Sequence, residues 1–264
     1  MIRIAVLVSI LMLLSACGKS FGPKTWEETM KAVAEAQTKG DYAKVLDLCD
    51  QAFEIWDKAG NGSRAYLALE CLSDASVKNG KPAVALPRYA SFFKSYAGEL
   101  RNVPGRLRLR NNYAIALEGA GRRAEAIAAL EEALIMMYKD LPTFGDTYSE
   151  RMRVTRNLAK LYTRAGPGER AASFAAASAA EIEEKVILNR GSFHLHMGAA
   201  GALEALADLL LHNGAAARSE EIADLAREQR AGEDEVARRS PRLARACYSM
   251  TIGREAEYCF VDLP

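Results

Sequence analysis

The sequence predicts an all-α protein, an array of about five helical hairpins followed by a short non-repeat tail. Three observations carry that prediction. Alanine is plentiful, proline is limited to 8 residues and Val/Ile are modest, a balance that suits helices over sheet. Gly40, Gly80, Gly121, Gly166 and Gly214 each lie between a pair of apolar-periodic segments, at spacings of 40, 41, 45 and 48 residues. Glycine just past a helix end takes the left-handed conformation that closes the helix. One hairpin cannot bury its apolar face but a stack can, so a recurring helix–glycine–helix unit marks a repeat array.

At the N-terminus, Arg3 precedes an apolar run, Ile4 to Leu14, broken only by Ser9. The run is too short to cross a hydrocarbon core, which takes roughly 20 apolar residues. It has the length of a signal-peptide core. Leu14-Ser15-Ala16-Cys17 follows and resembles the lipobox of bacterial lipoproteins. The resemblance implies a signal peptide at 1–16, cleavage before Cys17, and acyl chains (palmitate or similar) on that residue. Several chains together anchor a protein firmly, at about 0.8 kcal/mol per buried CH₂. Gly18 stands where an inner-membrane retention signal places aspartate, which implies an outer-membrane destination. Residues 17–24 form the tether, 25–240 the repeat domain and 241–264 the tail. An uncleaved anchor helix, or a secretory signal with a chance cysteine, is the competing reading.

Removing Arg3 with the leader leaves 34 basic and 34 acidic side chains, so nothing favours nucleic acid as a partner. Four cysteines remain after Cys17: Cys49, Cys71, Cys247 and Cys259. An exported chain meets an oxidising compartment, where an even count permits two disulfides. Three connectivities exist, and proximity in sequence favours Cys49–Cys71 and Cys247–Cys259; four buried thiols is the alternative.

Counting each unit so that its glycine is fifteenth aligns small residues at three places. The eighth reads Val33, Ser73, Ala114, Ala159 and Ala207; the twentieth Val45, Ala85, Ala126, Ala171 and Ser219; the twenty-seventh Ala52, Phe92, Ala133, Ser178 and Ala226. The pattern resembles tetratricopeptide (TPR) repeats, with the longer spacing of the kinesin-light-chain type, over roughly residues 25 to 230. It is clearest in the third unit, Asn111 to Leu134, and looser in the second and fifth. The resemblance implies a right-handed superhelical solenoid. In the second unit, Pro82 is expected near a helix start and Pro87 is expected to kink the helix. After Pro241 one further helical start and then a β-prone stretch are expected to cap the array.

Catalytic motifs are not found. Gly18-Lys19-Ser20 lacks the first glycine of a phosphate loop, and the loop Gly60–Ala65 has no preceding strand. No G-x-S-x-G elbow or H-E-x-x-H occurs. His194 and His196 could share a metal on a strand, but a helix would point them about 200° apart. No further ligand is evident beside them except Asp208 and His212 on the next helix. No metal, cofactor or catalytic residue is assigned.

In tetratricopeptide proteins the second, fifth, sixth and ninth places face a concave groove. The resemblance therefore implies a partner-binding set of Arg108, Asn111 and Asn112, then Arg153, Arg156, Asn157 and Lys160. Extended-type repeats commonly carry an asparagine at the sixth place, here Asn112 and Asn157, that bonds a bound peptide backbone. An amide can both donate and accept, and arginine binds carboxylates bidentately, so an acidic or C-terminal segment would fit. Glu70, Asp74, Glu204 and Asp208 take groove places on either side. Solvated charge that merely keeps the stack soluble is the competing reading. The expected function is a non-enzymatic, lipid-anchored adaptor that binds an envelope protein or peptide. The rivals are an enzyme or metal-dependent protein with a site at residues 191–198 and the tail, and a self-assembling structural lipoprotein.

Overall fold

The computed structural model describes residues 25–96, 103–140, 148–191, 198–239, 247–249 and 257–259. The predicted signal peptide, Cys17, the tether and the His194/His196 pair lie outside the described residues.

Ten α-helices among the described residues form five consecutive hairpins. The first pairs α1 (Trp26–Thr38) with α2 (Tyr42–Lys58). The second pairs α3 (Gly62–Lys78) with a 3₁₀ turn (Pro82–Ala85) and α4 (Leu86–Ser95). The third is α5 (Val103–Gly119) with α6 (Arg123–Asp140), and the fourth α7 (Tyr148–Ala165) with α8 (Glu169–Leu188). The fifth is α9 (Ala199–His212) with α10 (Ala216–Arg239). First helices stack in order, α3 on α5, α5 on α7 and α7 on α9. The result is the all-α repeat solenoid expected from the glycine spacing.

Local chemistry sets the helix ends. Thr25 and Glu28 make a reciprocal capping box at the start of α1, and Asp41 and Asn61 cap α2 and α3. All five repeat glycines have positive φ, from 68° at Gly40 to 101° at Gly166. At Gly40 the next amide, Asp41 N–H, reaches back to the Ala36 carbonyl while Gly40 N–H bonds the Gln37 carbonyl, a Schellman closure. The same pair of bonds recurs at Gly60, Gly80, Gly121 and Gly214. Gly166 differs because Pro167 follows and has no N–H to donate.

The small-residue places do what their alignment implies. Every residue at the eighth, twentieth and twenty-seventh places is buried except Ser178, which is half-buried. Small side chains there let helix backbones close together, and Phe92 fills the one wider gap, against Tyr66, Phe93 and Tyr96. Gly119 is a tight approach that the sequence did not flag: a Cβ there would lie 2.4 Å from Cγ of Pro82.

One expectation changes. Pro87 does not kink a continuous helix; it falls in the first turn of α4, where a missing N–H costs nothing, and the preceding segment is 3₁₀. Residues 240–246, where a further helical start is expected, lie outside the described residues. Beyond them the β-prone stretch forms β1 (Cys247–Ser249), antiparallel to β2 (Glu257–Cys259).

The core divides into two clusters that meet on α5. Leu109 and Ala116 belong to the N-terminal cluster with Trp26, Phe53 and Leu72, whereas Leu107, Ile115 and Leu117 belong to the C-terminal one with Leu158 and Leu206.

Candidate functional site

The groove-facing places lie on α3, α5, α7 and α9, and the structure treats them differently along the array. On α5, Asn111 and Asn112 are buried, and Asn157 of α7 is buried beside them. The Asn157 amide donates to Asn111 Oδ1 at 2.8 Å, and the Asn111 amide donates to Asn112 Oδ1 at 3.1 Å. These amides join α5 to α7. None of the three is open to solvent, so direct reading of an incoming backbone requires first uncovering them.

Arg108, expected as a groove cation, is committed elsewhere. It is buried, and its Nε donates to Glu70 Oε1 at 2.8 Å. Tyr66 also donates to that oxygen, while the second Glu70 oxygen is buried with no hydrogen bond. Burial pushes the Glu70 carboxyl up, and Arg108 pulls it partly back. Burial opposes the Arg108 charge too, but Glu70 and Tyr66 outweigh it and leave the guanidinium above its ordinary value. A cation removed from water needs a counter-charge, which is why this arginine faces Glu70 instead of a partner.

An open pocket of about 240 Å³ lies between α7 and α9. Arg156, Lys160 and Arg164 line it from α7, and Gly201, Glu204 and Asp208 from α9. Three cations at intervals of four residues stand on one face of α7 and two acids at the same interval on α9, because four residues complete about one helical turn. Gly201 leaves room for Arg156 to cross α9; a Cβ there would meet Arg156 Cδ at 3.4 Å. Arg164 also reaches Glu118 at 3.4 Å, and Arg230 holds Glu204 at 2.7 Å. The pocket is therefore dipolar, not purely basic. Arg153 is half-buried on α7 and does not line it. Arg164 escaped the repeat-place reading, although its spacing from Arg156 and Lys160 was visible.

At the N-terminus of α9, Gly198 provides no side-chain cap. Buried Glu233 of α10 takes that role, accepting from the Ala200 N–H at 3.0 Å. Burial pushes its carboxyl up, against the pull of that amide.

Cys49 and Cys71 form a disulfide joining α2 to α3, with Cα atoms 5.7 Å apart. Cys247 lies directly opposite Cys259 in the β1–β2 register. Facing residues of an antiparallel pair are about 4.5–5.5 Å apart, within disulfide reach. No described helix is long and apolar enough to cross a membrane, and among the described residues no group of three or more His, Cys, Asp or Glu could hold a metal ion.

No family model matches this sequence, and no curated protein does. Among solved structures, the chain is similar to a putative kinesin light chain of Podosopora anserina described as having nearly identical TPR-like repeats. Identity is 19%, 80% of this chain and 95% of that one are covered, and the TM-score is 0.56. A form of that protein with one glutamine replaced by methionine aligns at 19% identity over 78% of this chain and 95% of its own, with a TM-score of 0.58. At this identity the likeness shows the fold, a TPR-like helical-repeat solenoid.

Proposed function

We propose that this chain is a lipid-anchored adaptor of the bacterial envelope, held at the outer membrane through Cys17, with its repeat domain on the periplasmic face. Its partner is an envelope protein, gripped in the concave groove through a segment that carries an acidic side chain or a carboxylate. The dipolar pocket between α7 and α9 is the observation that supports a defined contact point. A carboxylate would sit against Arg156, Lys160 and Arg164, and a neighbouring amide or amine of the same segment against Glu204 and Asp208.

Affinity capture from crosslinked cells, comparing wild type with Arg156→Glu/Lys160→Glu, tests the contact point. The variant is expected to keep its helicity and to recover the partner at least tenfold less efficiently, since two charge-assisted contacts of about 1.5–3 kcal/mol each are reversed. Equal recovery would remove the pocket from the interface. The anchor is tested separately: Cys17→Ser is expected to accumulate as precursor without fatty-acid label. Normal labelling of that variant would refute lipidation at this position.

A further inference from the structure

With Cys49 and Cys71 bonded to each other, Cys247 and Cys259 are the only cysteines left beyond Cys17. They occupy the first position of β1 and the last of β2, and the register pairs them directly, at the end of the ribbon away from its connecting segment. Facing Cα atoms lie about 4.5 Å apart in a non-hydrogen-bonded antiparallel pair and about 5.5 Å in a hydrogen-bonded one. A disulfide spans Cα separations of about 4.4–6.8 Å, so either kind of pair admits the bond. This ribbon also has little else to hold it. Each strand is three residues long, and residues 250–256 join them, more than the roughly two to five that close most hairpins. A two-stranded ribbon is marginal in water by itself. The Cys49–Cys71 bond already belongs to an oxidising compartment, so the leader is not needed to place the tail in one.

We propose that Cys247 and Cys259 form a second disulfide, a covalent clasp at the open end of the β1–β2 ribbon, made by exchange with a disulfide-bearing oxidant. One cysteine thiolate attacks a sulfur of the oxidant's disulfide and releases the other sulfur as a thiolate. The second cysteine thiolate then displaces the oxidant from the mixed disulfide. One S–S bond forms as one breaks; the two cysteines lose two protons and two electrons, and the oxidant leaves as a dithiol. Closing the loop from 247 to 259 removes entropy from the open chain and favours the paired ribbon by about a hundredfold. The two bonds then act on the same part of the array. Cys49–Cys71 ties the first hairpin to α3, and the clasp holds the ribbon whose β2 packs against that same helix.

The test uses the full chain, oxidised with excess oxidised glutathione, alkylated in denaturant without reductant and digested with trypsin. Cleavage after Arg245 and Arg254 separates Cys247, in peptide 246–254, from Cys259, in peptide 255–264; Cys49 and Cys71 fall in 45–58 and 65–78. Mass spectrometry is expected to find 246–254 joined to 255–264, and reductant should split that product into its two peptides. Hydrogen exchange reads the clasp itself. Cys247→Ser/Cys259→Ser, which keeps Cys49–Cys71, should exchange the β1 and β2 amides at least roughly tenfold faster than oxidised wild type. Recovery of 246–254 and 255–264 as separate alkylated peptides overturns the proposal. So does either peptide joined to one carrying another cysteine. A linked pair with exchange unchanged in the serine variant also overturns it, because the bond would then not be what holds the ribbon. None of these readouts involves lipid or a partner, so they stand apart from the Cys17 and Arg156/Lys160 variants.

Discussion

Replacing Glu70 with alanine is expected to destabilise the protein by about 3–5 kcal/mol, the usual result of leaving one member of a buried ion pair alone. The orphan would be Arg108, whose side chain is 9% exposed. The location makes the effect more than a loss of stability. Arg108 belongs to α5, the helix on which the two core clusters meet, and Glu70 lies across the junction on α3. In a repeat array, cooperativity depends on the interfaces between neighbouring units. Breaking this one should let the N-terminal half unfold first. Both tryptophans, Trp26 and Trp56, lie in the first hairpin, so indole fluorescence reports that half and helicity reports the whole. In urea, the fluorescence transition of Glu70→Ala should precede the helicity transition, whereas the two coincide in wild type. Coincident curves with a shift under about 1 kcal/mol would show that the pair is not what couples the halves. The double variant Glu70→Leu/Arg108→Met is the internal control. It removes both charges and is expected to recover most of the loss, because a packed apolar pair often equals a buried ion pair.

Reducing the Cys49–Cys71 bond is expected to cost about 3 kcal/mol, from the entropy that a loop of this length returns to the unfolded chain. The sequence separation is 22 residues, and the bond crosses from the first hairpin to the second. Its loss should therefore appear in the tryptophan transition. Denaturation with and without reductant, repeated on Cys49→Ala/Cys71→Ala, measures it. A double variant that unfolds at the wild-type midpoint, or a reductant effect that persists in it, would place the stabilisation elsewhere.

How far the site was legible in the sequence depended on whether a residue's role is local. Asn112 and Asn157 fall in repeat register, and register correctly placed them on the first helices of adjoining units. It could not say whether those helices stand apart or close together, and in the structure Asn157 bonds Asn111 across the α5–α7 contact. Arg108 looked equivalent to Arg153 at the second place of its unit, yet only Arg108 is held by Glu70, 38 residues earlier. No periodicity reports a pairing of that kind. Arg164 was missed for the opposite reason: its eight-residue offset from Arg156 was plain, but the groove places borrowed from the repeat pattern stop before it.

By itself the sequence determined what depends on neighbours along the chain. Left-handed glycines, caps at Thr25, Asp41 and Asn61, and small residues at three recurring places specify helices, turns and the contacts of a stack. These act through torsion, hydrogen bonds a few residues apart and side-chain volume, all of which are written locally. Only the tertiary structure decided which groove charges are committed and which line a pocket. It also decided that Glu233 caps α9 and that the C-terminal hairpin lies against α3. Those outcomes follow from desolvation and close packing between segments tens to almost two hundred residues apart. Burial assigns a charge its partner, and burial is a property of the assembled stack.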